Sequence, residues 1–340
     1  MSIFSGLPRF RLATLPTPIT EATGLRRALG GERRCPRILL KRDDLTGLAL
    51  GGNKARKLEF LVGDALRLNA TCLVTTGAIQ SNHARMTAAA ARAAGLGVTL
   101  VLTTRDPRPV VQGNYLLDRL FGASIHLIPA GPDPKLAVAP DEEERVRAVV
   151  EDLMRGGERP YVIRVGGSSG VGALGYVAGT FELVEQLSSM PSSPTRLYYA
   201  SGSRGTQAGL ELGARLFHAP YQLCGVAVSG GEEEKRVRAA RVAMEAAALL
   251  GIDDVGIRAD DLTTDQRHIG AGYGIATPEG LEAIRLLAEC DGVLLDPVYT
   301  AKAMAAVIGD IRAGAIAPDT DVVFLHTGGV PALFAHASFE

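Results

Sequence analysis

Several features are missing from this sequence, and each absence removes a class of function. The chain has no tryptophan, aromatic residues make up 5% of it, and the formal net charge is −1. It has no run of basic residues, and no aromatic residues alternate with lysine or arginine. Because nucleic acids and anionic membranes attract basic patches, this balance predicts neither nucleic acid nor membrane as a partner.

Cysteine is also scarce. The four cysteines are far apart, with no C-x-x-C spacing and no histidine pair nearby: Cys35, Cys72, Cys224 and Cys290. This pattern suits neither a disulfide framework nor a zinc site, and it fits a reducing compartment. The N-terminus lacks the apolar core of a signal peptide, and no stretch reaches the roughly 18–20 apolar residues of a membrane span. We therefore expect a cytoplasmic protein without a metal.

Short apolar runs alternate with helical patterns along the chain. The strand candidates are Ile38–Lys41, Leu73–Thr76, Val98–Leu102, Ser124–Ile128, Tyr161–Val165, Leu197–Ala200, Leu223–Val228 and Val322–Leu325. The helix candidates are Lys57–Asn69, Ala84–Ala94, Asn114–Phe121, Glu142–Arg155, Gln207–Phe217, Glu233–Leu250, Glu279–Glu289 and Ala301–Arg312. Strands that are apolar on both faces and separated by helices predict a mainly parallel sheet covered by helices. The Pro-rich segment Ala130–Pro140 is predicted to be a surface loop.

The glycine-rich stretch Gly51–Lys57 stands just before a predicted helix. A ligand can approach a lysine held among glycines, and the helix dipole with Arg56 and Lys57 favours a neutral Lys54 amine, the form that attacks an aldehyde. The alternative is an exposed basic turn.

Two further stretches lie where strands end and helices begin. In Gly77–His83, Ser81 and Asn82 are N-cap residues or part of a carboxylate site built from backbone N–H groups and the Ser81 hydroxyl. In Ser201–Gln207, small residues predict either a phosphate cradle or an ordinary turn.

The last clusters offer different chemistries. Gly166–Gly170 matches the G-x-S-x-G nucleophile elbow formally, which would make Ser168, with a histidine such as His326, the centre of a serine hydrolase; five small residues in a row seldom form that strained turn. Tyr273 and Tyr299 lie among glycine and proline, and tyrosine can stack, donate hydrogen bonds or relay protons. Their alternative role is packing at helix starts.

Taken in order, the motifs G-G-N-K-x-R-K-L-E, S-N-H, S-G-S-x-G-T-x-A-G-L, G-Y-G, D-P-V-Y-T and H-T-G-G resemble those of the D-cysteine desulfhydrase and 1-aminocyclopropane-1-carboxylate (ACC) deaminase family. The likeness runs from Pro8 to Phe334. It implies an enzyme dependent on pyridoxal 5'-phosphate (PLP), a small amino-acid substrate and a homodimer. It also implies the tryptophan synthase β-like fold (PLP fold type II), an α/β fold of two domains with open twisted parallel sheets covered by helices. Residues 1–52 and 164–340 would form the larger, PLP-binding domain and 53–163 the smaller inserted one.

The resemblance also assigns roles to individual residues. Lys54 would carry the cofactor as a Schiff base and act in catalysis with Tyr273 and Tyr299, which flank the substrate. The other cofactor contacts would be Asn82 at the phenolic oxygen, Lys57, Ser203, Arg204, Gly205 and Thr206 at the phosphate, and Thr300, with Thr327, at the pyridine nitrogen. The other substrate contacts would be Ser81, which receives the carboxylate, with Gln80, Asn82 and His83.

Departures from the family pattern bear on the substrate. ACC deaminases have glutamate where this chain has Thr300, and a neutral hydroxyl leaves the cofactor ring less electrophilic. That favours β-elimination, D-cysteine giving pyruvate, sulfide and ammonia, over ring opening of ACC. Arg164 and Arg204 are either solvated or bind a second anionic group, which would favour L-cysteate.

Overall fold

The computed structural model describes residues 2–134, 139, 141–191 and 194–336, so part of the predicted loop Ala130–Pro140 lies outside the described residues. The strands are β1 (Ile19–Glu21), β2 (Arg37–Lys41), β3 (Cys72–Ala78), β4 (Gly97–Thr104), β5 (Ser124–Pro129), β6 (Pro160–Ile163), β7 (Pro194–Ser201), β8 (Gln222–Ala227) and β9 (Asp321–Leu325). The helices are α1 (Thr23–Ala28), α2 (Lys54–Arg67), α3 (Asn82–Ala93), α4 (Gly113–Leu120), α5 (Glu142–Arg155), α6 (Gly170–Ser188), α7 (Gly205–Leu216), α8 (Glu232–Leu249), α9 (Pro278–Asp291) and α10 (Thr300–Arg312).

The strands form two sheets. One has the order β1-β2-β9-β7-β8 and is parallel except for the edge strand β1, whereas the other has the order β5-β4-β3-β6 and is parallel throughout. Strands such as β9 are buried along nearly their whole length because aliphatic side chains occupy both faces. The predicted α/β fold with mainly parallel sheets is confirmed.

Helix α6 corrects the sequence analysis, which predicted no helix between Tyr161–Val165 and Leu197–Ala200. Its four glycines lower its intrinsic helix propensity, so the pattern was weak. Those glycines permit close packing: a methyl group on Gly175 would lie 2.4 Å from the carbonyl oxygen of Arg56 in α2. Helix α6 therefore packs directly on α2, and Gly209 of α7 packs against α6 in the same way. These contacts fix α2 and α7, whose N-termini form the site described below.

Loops at the carboxyl ends of the strands come together beside α2 and α7. In the larger sheet β2, β7 and β9 run parallel, so their carboxyl ends share one edge, which is where ligands bind in open α/β sheets. The backbone N–H of Asn53 donates to the carbonyl of Thr327 over 3.0 Å. From the other sheet, Arg85 in α3 donates to the carbonyl of Gly51 over 3.1 Å.

Over the described ranges, no helix combines the length and the apolar character needed to cross a bilayer.

Candidate active site

Lys54 is the first residue of α2 and follows a turn that only glycine can form. Gly51 and Gly52 have φ values of 73° and 134°, in the region that side chains disfavour, and a methyl group on Gly51 would lie 1.8 Å from the carbonyl oxygen of Asp44. The Lys54 Nζ donates to Asn53 Oδ1 over 3.1 Å. The turn thus presents a half-buried lysine at the start of a helix, as predicted from the motif.

The pKa of the Lys54 amine is lowered. This pKa falls to about 8, chiefly because of burial; the Asp296 carboxylate opposes this shift, and the buried Arg85 guanidinium adds to it. A larger fraction of the amine is therefore uncharged near neutral pH than for an ordinary lysine. That is the form in which it acts as a nucleophile or base.

A buried ionic network fixes the start of α2. The Arg56 guanidinium donates to Asp43 Oδ1 over 2.8 Å and to Glu182 of α6 over 2.7 Å, and Tyr176 donates to Asp43 over 2.6 Å. Lys41 of β2 is bound to the same Glu182. Because Arg56 and Asp43 are buried, breaking one partner would leave an uncompensated charge. The network holds the Lys54 turn in place.

The loop between β7 and α7 has the form of an anion site. Its backbone is in the left-handed region at Arg204 (φ 71°), and α7 begins at Gly205, so unpaired N–H groups converge there. A methyl group on Gly205 would lie 2.8 Å from Ser168 Oγ and 2.9 Å from Lys57 Nζ. Asn53 Nδ2 donates to Thr206 Oγ1 over 3.2 Å and so connects this loop to the Lys54 turn.

Lys57 is a buried cation beside that loop. Its Nζ donates to the carbonyl of Gly166 over 3.0 Å, and among the described residues it forms no ion pair with a carboxylate. Burial and the neighbouring Lys54 lower its pKa well below the usual range. A buried ammonium without a counter-charge is unfavourable, and a phosphate between Lys57 and the α7 N-terminus would supply that charge. The residues present therefore fit a phosphate-bearing cofactor.

Ser81 and Asn82 begin α3. Ser81 Oγ accepts from the N–H of Ala84 over 3.1 Å, so the predicted N-cap is formed. The hydroxyl proton is not used by this cap and can still be donated to a carboxylate. Asn82 is half-buried, and its Oδ1 accepts from Asn114 Nδ2 over 2.9 Å.

The side chains of His83 and Gln80 form hydrogen bonds within the protein, which the motif does not indicate. His83 is buried, and its Nε2 lies 2.8 Å from Thr75 Oγ1; since Thr75 donates to Ile163, the ring must be the donor. Burial and the charges of Lys54 and Lys57 lower the His83 pKa well below its usual range. Gln80 uses its amide on the 112–114 segment. Contact of either residue with substrate stays a prediction.

Tyr273 and Tyr299 form a pair. Their hydroxyl oxygens are 2.5 Å apart and their rings meet edge to face, with centroids 6.0 Å apart. Tyr299 also neighbours the loop between β7 and α7, because a methyl group on Gly202 would lie 3.4 Å from its ring. Burial raises the pKa of both hydroxyls, so both stay protonated. The pair can donate a hydrogen bond, and its role with a substrate stays a prediction.

Thr300 requires a correction. It is fully buried, and its hydroxyl donates to Asp296 Oδ1 over 2.8 Å and accepts from the Asp296 N–H over 2.7 Å. Its hydroxyl therefore holds Asp296 at the start of α10 and is not free to donate to a pyridine nitrogen. Thr327 remains available for that role, since its hydroxyl has no hydrogen bond with any described residue.

The two arginines that the sequence left open now differ. Arg164 is exposed, with Glu245 at 3.9 Å. Arg204 is buried, and its guanidinium is bound to Glu232, to Gln207 over 2.8 Å and to Thr264 over 3.0 Å. The partners of both guanidiniums lie outside the Lys54 turn, so the structure gives no support to L-cysteate. Contact of the Arg204 backbone N–H with phosphate stays a prediction.

Arg204→Met is expected to lower the free energy of unfolding by about 2 kcal/mol, because it leaves the part-buried Glu232 carboxylate without its cationic partner. Denaturant unfolding measures this. Activity toward L-cysteate relative to D-cysteine should not change; a selective loss of cysteate activity would contradict the structural role.

The serine-hydrolase alternative is contradicted. Ser168 Oγ donates to Ser203 Oγ over 2.8 Å. His326 cannot act as its base because both ring nitrogens are engaged, Nε2 with the carbonyl of Leu294 and Nδ1 with the N–H of Gly328. Ser168 therefore stabilises the loop between β7 and α7.

Comparison with known proteins bears on this geometry. The family described as "Pyridoxal-phosphate dependent enzyme" matches residues 10–328. The chain belongs to this family. The D-cysteine desulfhydrases of Salmonella choleraesuis (strain SC-B67) and Salmonella typhi are each 40% identical to it over 333 residues, 97% of this chain and 96% of theirs. Dependence on PLP and the predicted family are thereby confirmed.

Solved structures agree. An ACC deaminase homologue superposes with a TM-score of 0.86 at 34% identity, covering 98% of this chain and 95% of its own. A threonine deaminase from T.th., at 24% identity and a TM-score of 0.62, covers 92% of each chain and shares the fold. The predicted fold type is confirmed.

Three residues of the site were missed by the sequence analysis. Asn53 bridges Lys54 and Thr206, Asp296 accepts from the N–H groups of Tyr299 and Thr300, and Asn114 donates to Asn82. Asp296 could have been found, because it is followed by a proline and Asp-Pro favours a turn in which the aspartate side chain accepts from backbone N–H groups. Asn114 gave no such signal within its short amphipathic helix.

Proposed function

We propose that this enzyme is a carbon–sulfur lyase that converts D-cysteine and water to pyruvate, sulfide and ammonia by α,β-elimination. The observation that carries the proposal is a Lys54 amine of lowered pKa, connected through Asn53 to an anion site that a protonated tyrosine pair borders. The 40% identity with D-cysteine desulfhydrases supports the substrate. PLP, when bound, supplies the electron sink that stabilises negative charge at the substrate α-carbon.

The residues would divide the work as follows. Lys57 and the N-terminus of α7 would hold the phosphate, Asn82 the phenolic oxygen and Thr327 the ring nitrogen. The N–H groups at the start of α3, with the Ser81 hydroxyl, would hold the substrate carboxylate. Lys54 Nζ would take the α-proton, because its lowered pKa leaves a lone pair available.

The tyrosine pair would assist the departing sulfur. Sulfide leaves more readily as it gains a proton, and both hydroxyls remain protonated at neutral pH. Since the two oxygens are 2.5 Å apart, one hydroxyl can donate to the sulfur while the other hydroxyl donates to the oxygen of the first.

Ring opening of ACC is the second candidate, favoured by the structural likeness to an ACC deaminase homologue. It is less well supported because the position after Tyr299 is a threonine rather than an acid. The carboxylate of Asp296 does not replace that acid, since it accepts from the N–H groups of Val298, Tyr299 and Thr300.

Lys57→Met is expected to raise the Kd for PLP by roughly 10- to 100-fold, the loss of one charged hydrogen-bond donor to phosphate. The cofactor-free protein should be at least as stable, because the buried Lys57 amine, whose pKa is already lowered by desolvation, is replaced by an apolar side chain. Titration of PLP absorbance and thermal unfolding measure both. Lys235→Met, which removes another lysine of lowered pKa, is the control; unchanged PLP affinity in Lys57→Met would contradict this role.

The proposal is tested with the purified, PLP-loaded enzyme and D-cysteine, L-cysteine, L-cysteate and ACC. We expect sulfide and pyruvate in equal amounts from D-cysteine, and much slower turnover of the others. Sulfite release from L-cysteate, or 2-oxobutanoate from ACC, at a higher kcat/KM would overturn the assigned substrate while leaving the site intact.

We further propose the division into residues 1–52 with 164–340 and residues 53–163. It is supported by the sheets, because β3–β6 lie within the second range and the strands of the other sheet in the first. A homodimer in the cytoplasm stays a prediction, and sedimentation analysis tests the dimer.

A further inference from the structure

Asn114 is a buried side chain that the proposed chemistry does not use. It is the second residue of α4 and is 0% exposed. Its Nδ2 donates to the carbonyl of Gln80 over 2.8 Å and to Asn82 Oδ1 over 2.9 Å, and its backbone N–H donates to Gln80 Oε1 over 2.8 Å. Asn114 therefore touches both residues that flank Ser81.

Backbone groups fix which way each amide faces. The carbonyl of Gln80 can only accept, so Asn114 must turn its NH2 group toward it. The second proton of that NH2 group then requires an oxygen, which sets the Asn82 amide with Oδ1 toward Asn114. Asn82 Nδ2 is left as the outward group, and Nδ2 is a donor.

This orientation has a cost. Asn114 Oδ1 is buried and has no hydrogen-bond partner among the described residues. Buried oxygens without partners are rare, and each one calls for an explanation. Rotating the Asn114 amide would break both hydrogen bonds, because its Oδ1 would then face the Gln80 carbonyl and Asn82 Oδ1, which both accept. The two hydrogen bonds of Nδ2 therefore hold the Asn114 amide in a single orientation, although its Oδ1 has no partner among the described residues.

We propose that Asn114 is a positioning residue that locks the Asn82 amide with its NH2 group toward the cofactor's phenolic oxygen. The inference rests on the proposed function, because it requires Asn82 to meet the cofactor. An acceptor in place of Asn114 Nδ2 would release or reverse Asn82 and so remove the donor from that oxygen.

Asn114→Asp tests this with almost no change in volume. A carboxylate would face the Gln80 carbonyl and Asn82 Oδ1 with acceptors only. We expect the Kd for PLP to rise by roughly tenfold and the visible absorption maximum of bound PLP to shift in the same direction as in Asn82→Ala. Thr87→Val is the control, since Thr87 is buried in α3 and its hydroxyl also has no partner among described residues.

A double-mutant cycle separates positioning from loss of stability. If Asn114 acts through Asn82, Asn114→Asp adds little to the Kd and absorption changes of Asn82→Ala. Effects that add fully, or Asn114→Asp with wild-type affinity and spectrum, would overturn the inference and leave the proposed function standing. A wild-type protein that binds no PLP would overturn the proposed function itself. Thermal unfolding of the cofactor-free variants shows whether the fold is intact.

Discussion

Lys54→Ala is expected to abolish elimination, with kcat reduced by about 10³-fold or more, and to remove the visible absorption of bound PLP. The variant loses the amine that holds the cofactor covalently and takes the α-proton. Its fold should survive, because the network that fixes α2 uses Arg56, Asp43 and Glu182 and does not involve Lys54. Turnover of D-cysteine and absorbance above about 400 nm measure the two effects.

Lys235→Ala is the matched control for that experiment. Burial lowers the pKa of Lys235 to about 8, as for Lys54, but its Nζ is bound to Ser229 Oγ over 2.6 Å. We expect this variant to bind PLP and to turn over D-cysteine as the wild type does. A Lys54→Ala protein with near-normal kcat would show that another amine serves the reaction.

Tyr299→Phe is expected to lower kcat for D-cysteine by about 10²-fold, with a smaller change in KM. The ring and its packing against Tyr273 remain, so the loss reports on the hydroxyl. Because the two hydroxyls are hydrogen-bonded, Tyr273→Phe should have a similar effect, and the double variant should lose much less than the product of both.

The leaving group provides the control for the tyrosine pair. Chloride leaves without a proton. Tyr299→Phe should therefore lower kcat far less with β-chloro-D-alanine as substrate than with D-cysteine. Equal losses with both substrates would contradict proton donation to sulfur and would give the pair a role in substrate binding.

Most of the fold could be predicted because apolar strands and amphipathic helices alternate with clear boundaries. Helix α5 begins and ends as predicted, at Glu142 and Arg155. Helix α6 could not be predicted from its local pattern, because its glycines are typical of a loop. Only the contacts of α6 with α2 and α7 explain why glycine occupies these helical positions. The short β1 and α1 were also missed, because so few residues carry no periodicity.

The parts of the candidate site that neighbouring residues in the sequence form could be predicted. Glycines before Lys54 and small residues before α7 indicate a close ligand approach from sequence alone. The contact of Thr300 with Asp296, the ion pair of Arg204 and the hold of Asn114 on Asn82 depend on tertiary packing. These interactions change which side chains face the site, and the spacing of motifs does not reveal them.

The most direct test of the central claim is to identify the lysine that carries the cofactor. Borohydride reduction of the PLP-loaded enzyme would fix the cofactor to that lysine, and peptide mass mapping would locate it. We predict a single modified residue, Lys54, whose labelling is prevented when excess D-cysteine is present during reduction. Modification of Lys57 or another lysine, with Lys54 unlabelled, would contradict the account.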